Sequence, residues 1–346
     1  MGRTVTEVCR IWGFASFLLT ALVAGTGEAA PSVDQPEPNA EAPFGAYLAG
    51  RHAQHMRDYQ AAAGWFEDAL RADPESPELI TRTFLMEASV GRFDRARALA
   101  ESELKVDSTD AVAELVLLID RVKADDKAGA LARADALPKD GVHRFVGPLA
   151  RAWTRMAMGD LAGADAALQE FDKFNGFAPL KYYQLGLVYD FAGHADLAEE
   201  NFKKTLEATG QLNWRLTEAM ANFYERHGRD DEARALYQRF VQDNAGSELA
   251  ESVLAEKPAG PPPPLIASAE DGLAEALFDL ASVVNQPETI DLALLYGRCA
   301  TDLRPHLVLA QLLLSDVLSA ENKPEASLAI LDQIPQSSPY WWSARL

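Results

Sequence analysis

The chain has 346 residues, room for two or three ordinary globular domains or for one long repeat array, and 48% of it is apolar, enough for a packed core. Its 52 acidic residues outnumber its 32 lysines and arginines, leaving a formal charge of −20. A surplus of that size repels phosphates and anionic headgroups, which weighs against nucleic-acid or lipid binding.

The N-terminus differs from everything after it. Arg3 and Arg10 precede the uncharged apolar run IWGFASFLLTALVAG, and Gly27 and Ala29 then supply small residues at signal-peptidase spacing. Residues 1–29 are predicted to be an export signal cleaved after Ala29, with Ala30 as second choice; an uncleaved inner-membrane anchor is the alternative. Cleavage removes two arginines and two glutamates, so the mature charge remains −20. Cys9 precedes the apolar run instead of following it, which argues against lipid attachment. Cys299 is then the single cysteine of the mature chain, so no intrachain disulfide or cysteine metal cage is available. Residues 30–43, proline-rich and acidic, are predicted to be a disordered leader.

From there a period governs the chain. Alanine with an apolar residue four positions on recurs as Ala62/Phe66, Ala96/Ala100, Ala130/Ala134, Ala164/Leu168, Ala198/Phe202 and Ala233/Tyr237, in steps of 34, 34, 34, 34 and 35. Glycine stands five residues before the alanine at Gly91, Gly159, Gly193 and Gly228. In YYQLGLVYDFAGHADLAEENFKKTLE (182–207), apolar residues fall at helical spacing on both sides of Gly193, so each unit reads as two helices joined by a glycine turn.

The 34-residue step, LGLVYDFAG, the alanine and the Phe202 position resemble the tetratricopeptide repeat family over nearly the whole mature chain. Two repeats depart from the pattern, with Asp125 in the glycine position and Ser327 in the alanine position. The resemblance implies an all-α fold, an α-solenoid coiled as a right-handed superhelix of about eight helix-turn-helix repeats, with a concave groove lined by the first helix of each pair.

After Ala233 the markers lapse until Ala293, an interval of 60, and resume at Ser327 after 34. The gap contains Pro261 to Pro264, which cannot continue a helix. The predicted organisation is therefore a six-repeat block (44–250), a semi-rigid proline-rich connection (251–269) and a two-repeat block (270–339). Residues 340–346, beginning Tyr340-Trp341-Trp342, fall where a further first helix would start: either the array continues beyond them, or they dock on repeat eight as a cap.

Catalytic chemistry finds no foothold. His52 and His55 lie three apart on a predicted helix without a third ligand, and the acidic pairs Asp125-Asp126, Glu199-Glu200 and Asp230-Asp231 fall at turns or early in second helices, where negative charge suits the helix dipole. No nucleophile elbow, phosphate loop or zinc-protease motif occurs. No enzyme activity, cofactor, metal or small-molecule substrate is expected. The free faces of the first helices place Tyr47, Arg51, Leu85, Leu115, Trp153, Tyr183, Asn222 and Arg226 as the candidate partner groove, a mainly apolar set suited to an extended or helical peptide. The expected function is a periplasmic protein-interaction scaffold with a protein or peptide partner, touching membrane only through an uncleaved N-terminus. The alternatives are a membrane-anchored structural envelope component and the non-catalytic N-terminal part of a longer enzyme.

Overall fold

The structure, a computed structural model, describes residues 42–244, 254 and 260–341. The export signal and nearly all of the predicted leader lie outside the described residues. Sixteen α-helices follow one another among those described, with no strand. They form eight pairs: α1 (Ala42–His55) with α2 (Tyr59–Ala72), α3 (Pro77–Val90) with α4 (Phe93–Val106), α5 (Ala111–Lys123) with α6 (Lys127–Ala136), and α7 (Val146–Ala157) with α8 (Leu161–Gln169). Then come α9 (Ala178–Phe191) with α10 (Ala195–Thr209), α11 (Trp214–Arg226) with α12 (Asp230–Asp243), α13 (Ala269–Val283) with α14 (Ile290–Leu303), and α15 (Val308–Ala320) with α16 (Pro324–Leu331).

The period has a backbone cause. Gly91, Gly159, Gly193 and Gly228 all take positive φ, between 69° and 83°, in the turn between the two helices of a pair. Where glycine is missing the conformation persists: Arg57, Asp125 and Asn322 occupy the same position with φ of 54°, 54° and 58°. The turn is thus imposed by the packing of the pair, at a cost to residues that carry a Cβ. The next residue starts the second helix, and where it is Asp58, Asp126 or Asp160 its carboxylate accepts a hydrogen bond from the backbone N–H three residues on.

Small residues set the distance within a pair. A Cβ on Gly50 would stand 2.8 Å from the Phe66 ring, and one on Gly186 would stand 2.6 Å from the Phe202 ring. Only glycine lets those rings lie flat on the facing backbone. The marker alanines Ala62, Ala96, Ala164 and Ala198 are fully buried, as are Ala100, Ala134 and Leu168 four residues after their own markers. Two 3₁₀ turns, Val142–Phe145 and Glu170–Lys173, flank the fourth pair and gather Phe145, Phe171, Phe174 and Phe177, with Phe145 stacked on Phe177 at 4.0 Å between centroids.

The helices on either side of the proline run belong to one compact unit. Pro261 to Pro264 are non-helical and, apart from half-buried Pro262, exposed, yet the segment is tethered: Asn222 Nδ2 donates to Pro263 O at 2.9 Å, Ile266 is buried, and Arg304 Nη1 donates to Leu265 O at 3.3 Å. The chain then turns back, α13 onto α7 and α9, and α14 onto α3 and α5. All four of those are first helices of their pairs.

Candidate functional site

The face built by the first helices is therefore covered by the chain's own seventh pair. Helix α13 starts with a reciprocal capping box between Ser268 and Asp271, and in its stretch LAEALFDLASV (273–283) the polar residues are Ser282 and the acids Glu275 and Asp279, which lie four residues apart on one side. A helix that apolar is stable only when enclosed. Its Gly272 rests on the indole of Trp153, where any Cβ would overlap the ring.

Glu275 and Asp279 enter a polar seam. Trp153 Nε1 donates to Gln184 Oε1 at 2.7 Å, and Gln184 Nε2 donates to Asp279 Oδ2 at 2.6 Å. Fully buried Glu275 accepts from Tyr183 Oη at 3.3 Å and from Arg215 through both Nε, at 2.5 Å, and Nη2. A fork-on-carboxylate arrangement of this kind is the strongest ion pairing available to side chains. Arg215 Nη1 continues to Glu218 Oε2 at 2.6 Å, and Tyr340 Oη donates to Glu218 Oε1 at 2.7 Å while accepting from Trp214 Nε1 at 3.0 Å. Burial, then the neighbouring Glu275 charge, push the Asp279 carboxyl well above the usual carboxylate range, so it is inclined to keep its proton.

One sign rule organises the whole contact. Each ion pair between residues 42–244 and 260–341 among the described residues has its cation on the first stretch and its carboxylate on the second. These are Arg57 with Glu321 at 2.5 Å, Arg97 and Lys123 with Asp302 at 3.1 and 3.0 Å, and Arg215 with Glu275. Tyr59 Oη adds a hydrogen bond to Asp291 Oδ1 at 2.5 Å. Four cations of a chain with a charge of −20 thus hold the second stretch.

The eight candidate groove residues divide accordingly. Trp153 and Tyr183 are buried against α13, and Leu115 is buried in the core. Leu85 is half-buried and lines, with Leu292 and Leu295, a cavity of about 530 Å³ beside α14. Asn222 holds the proline run, and Arg226 pairs with Asp190 and donates to Asn222 Oδ1 at 3.0 Å. Tyr47 and Arg51 stand apart at the first repeat: Arg51 Nη1 donates to Tyr47 Oη at 2.8 Å, and that hydroxyl donates to Glu78 at 2.6 Å. His52 and His55 are exposed on α1, and no three His, Cys, Asp or Glu residues are grouped to hold a metal among the described residues. No described helix is long and apolar enough to cross a membrane.

The helical-repeat reading missed Gln184, Arg215, Gly272, Glu275 and Asp279. One signal was present, the pair of acids Glu275 and Asp279 on a single side of the mainly apolar stretch 273–283. At the end of the described residues Tyr340 and Trp341 lie in a turn, and Tyr340 Oη hydrogen-bonds Glu218 on α11 of the sixth pair. Residues 342–346 lie outside the described residues.

Helix pairs of 34-residue step, a left-handed residue in the turn and a ring on glycine inside the pair define a tetratricopeptide-like α-solenoid, in agreement with the sequence resemblance. No protein-family model matches the chain, and no curated protein does. Among solved structures the chain is similar to PilW, a widely conserved type IV pilus biogenesis factor, with 17% identity and a TM-score of 0.47 over 62% of this chain and 100% of that one. It is also similar to PilF of Pseudomonas aeruginosa, with 16% identity and a TM-score of 0.42 over 63% and 98% of the two chains. A tetratricopeptide repeat protein from Parabacteroides merdae aligns at 14% identity and a TM-score of 0.48 over 81% and 100%.

Proposed function

We propose that this chain is an exported, non-catalytic protein-interaction scaffold whose first-helix face recognises a helix bearing a small residue followed by acids three and seven positions later. The observation that carries the reading is the fit of α13, with Gly272 on Trp153, Glu275 on Arg215 and Tyr183, and Asp279 on Gln184. A protein partner with that pattern competes for the same groups by the helix-in-groove mode. Thiol chemistry is disfavoured at Cys299, which is buried and whose thiol pKa burial raises well above the ordinary value.

The test uses a labelled synthetic peptide of residues 268–284 and the full chain. Gly272→Leu forces α13 away from Trp153, and the variant is expected to bind the peptide while the unaltered chain does not. A peptide in which Glu275 and Asp279 are alanine should fail. Absence of peptide binding by a variant that keeps its helical circular-dichroism spectrum defeats the proposal, and Asp279→Ala serves as a milder opening if Gly272→Leu does not fold. Export rests on the sequence of residues 1–29 and is checked by N-terminal sequencing of the periplasmic fraction, with a mature start at Ala30 expected. A full-length protein confined to the membrane fraction refutes it.

A further inference from the structure

Beside the turn after α3, where α14, α15 and α16 converge, lies a cavity of about 200 Å³. Its polar lining includes Arg298, Thr301, Asp302 and Gln311, and its apolar walls include Phe93 and Leu314. The Arg298 stem is held against Gly91, where a Cβ would stand 3.1 Å from Arg298 Cδ and where the glycine's φ of 83° lets the turn approach. The Arg298 guanidinium has no carboxylate partner among the described residues, and its buried Nε has no hydrogen-bond partner. Asp302, the acid in the lining, is already engaged by Arg97 and Lys123. Burial lowers the Arg298 pKa from its ordinary value with no charge acting to restore it.

Gln311 shows the complementary defect. It is 4% exposed, its Nε2 donates to Pro305 O at 3.0 Å, and its Oε1 receives no donor. Arg298 is half-buried, with its Nε buried and unbonded, and beside it Gln311 carries a buried acceptor without a donor; polar groups left unpaired around one cavity are costly to keep, and such costs persist where a ligand offsets them.

We propose that this cavity binds a small carboxylate bearing an N–H donor beside it, the carboxylate on Arg298 and the N–H on Gln311 Oε1. The apolar walls leave room for one small side chain. Two sources carry this chemistry, a free small α-amino acid and the C-terminal residue of a peptide. The charge of −20 is spread over the chain, and salt screens those charges lying more than about 10 Å from the cavity, so it opposes a polyanion that spans the surface far more than a single carboxylate.

Isothermal titration calorimetry of the full chain with L-alanine, N-acetyl-L-alanine, acetate and N-methylacetamide tests it. Saturable binding of L-alanine or N-acetyl-L-alanine is expected, about tenfold tighter than acetate because a buried hydrogen bond is added, with no binding of N-methylacetamide. Preference for L-alanine identifies the free amino acid as the source, and preference for N-acetyl-L-alanine identifies the peptide terminus. Arg298→Met should abolish binding while leaving the melting temperature equal or higher, since a half-buried cation with no carboxylate partner and an unbonded buried Nε is removed. Gln311→Met should weaken N-acetyl-L-alanine or L-alanine to the level of acetate. No saturable heat up to about 10 mM ligand, a limit of very weak affinity, overturns the proposal. So does an Arg298→Met variant that binds unchanged or melts lower, which would make Arg298 a structural residue.

Discussion

At the scale of single residues, the left-handed turn position is where local preference and packing conflict. Asp125 and Asn322 hold φ of 54° and 58° that glycine would adopt without strain. Asp125→Gly is expected to stabilise the chain by about 0.5–1 kcal/mol, read as a higher urea midpoint at unchanged slope, because relief of strain exceeds the added freedom of the unfolded chain. Gly193→Ala should destabilise by a similar amount, since it places a Cβ at φ 78°. If the two variants shift in the same direction, the repeated turn is not governed by backbone strain. Asp125 replaces glycine without loss of the turn, which is why a sequence marker built on glycine lapses while the structural period continues.

Helix α13 decides matters at the scale of elements. Its Glu275 and Arg215 form a buried, forked ion pair, and truncating one partner strands the other charge. Glu275→Ala should cost about 3–5 kcal/mol, whereas Arg215→Met combined with Glu275→Leu should recover most of the loss. Equal losses in the single and the double variant would show that packing, not the stranded charge, is at stake. Asp279 supplies a pH dependence of known sign. Its folded pKa lies above the unfolded value, so the folded chain keeps a proton that the unfolded chain has released. Its contribution is fully present below the ordinary aspartate pKa of about 4 and declines as pH rises towards the folded value. Glu199 works in the opposite sense: hydrogen bonds from Arg229 and Lys203 lower it to about 2, so its contribution is present above the ordinary glutamate pKa and is lost on acidification. Subtracting the stability profile of Asp279→Asn from that of the unaltered chain isolates the first effect, and a difference that grows with pH would contradict it.

For the whole molecule, the return of α13 and α14 onto α3, α5, α7 and α9 changes the expected mode of unfolding. An open solenoid joins only neighbouring repeats and can melt from its ends. Here contacts such as Arg57–Glu321 and Tyr340–Glu218 tie positions far apart in the chain. Far-ultraviolet circular dichroism and tryptophan fluorescence should therefore report one coincident transition in denaturant, Trp153 and Trp214 lying on two different parts of the contact. Separate transitions for the two signals would mean that the second stretch detaches before the first unfolds.

Secondary structure, the pairing of helices and the repeat period were legible from residues alone, because each depends on neighbours within one 34-residue unit. Alanine and glycine spacing dictates which faces meet, and Phe66 or Phe202 has only one glycine to lie against. Of the residues chosen as a candidate groove, Trp153 and Tyr183 meet α13 and Asn222 meets the proline run. What covers them was decided by tertiary structure. Arg215 meets Glu275 across 60 residues, and Arg97 meets Asp302 across 205, separations at which no period or local preference specifies a partner. The apolar character of α13 demanded enclosure but named no enclosing surface. Only the closure of the chain on itself, which brings the cations of one stretch to the carboxylates of the other, turned an open repeat array into a single packed body.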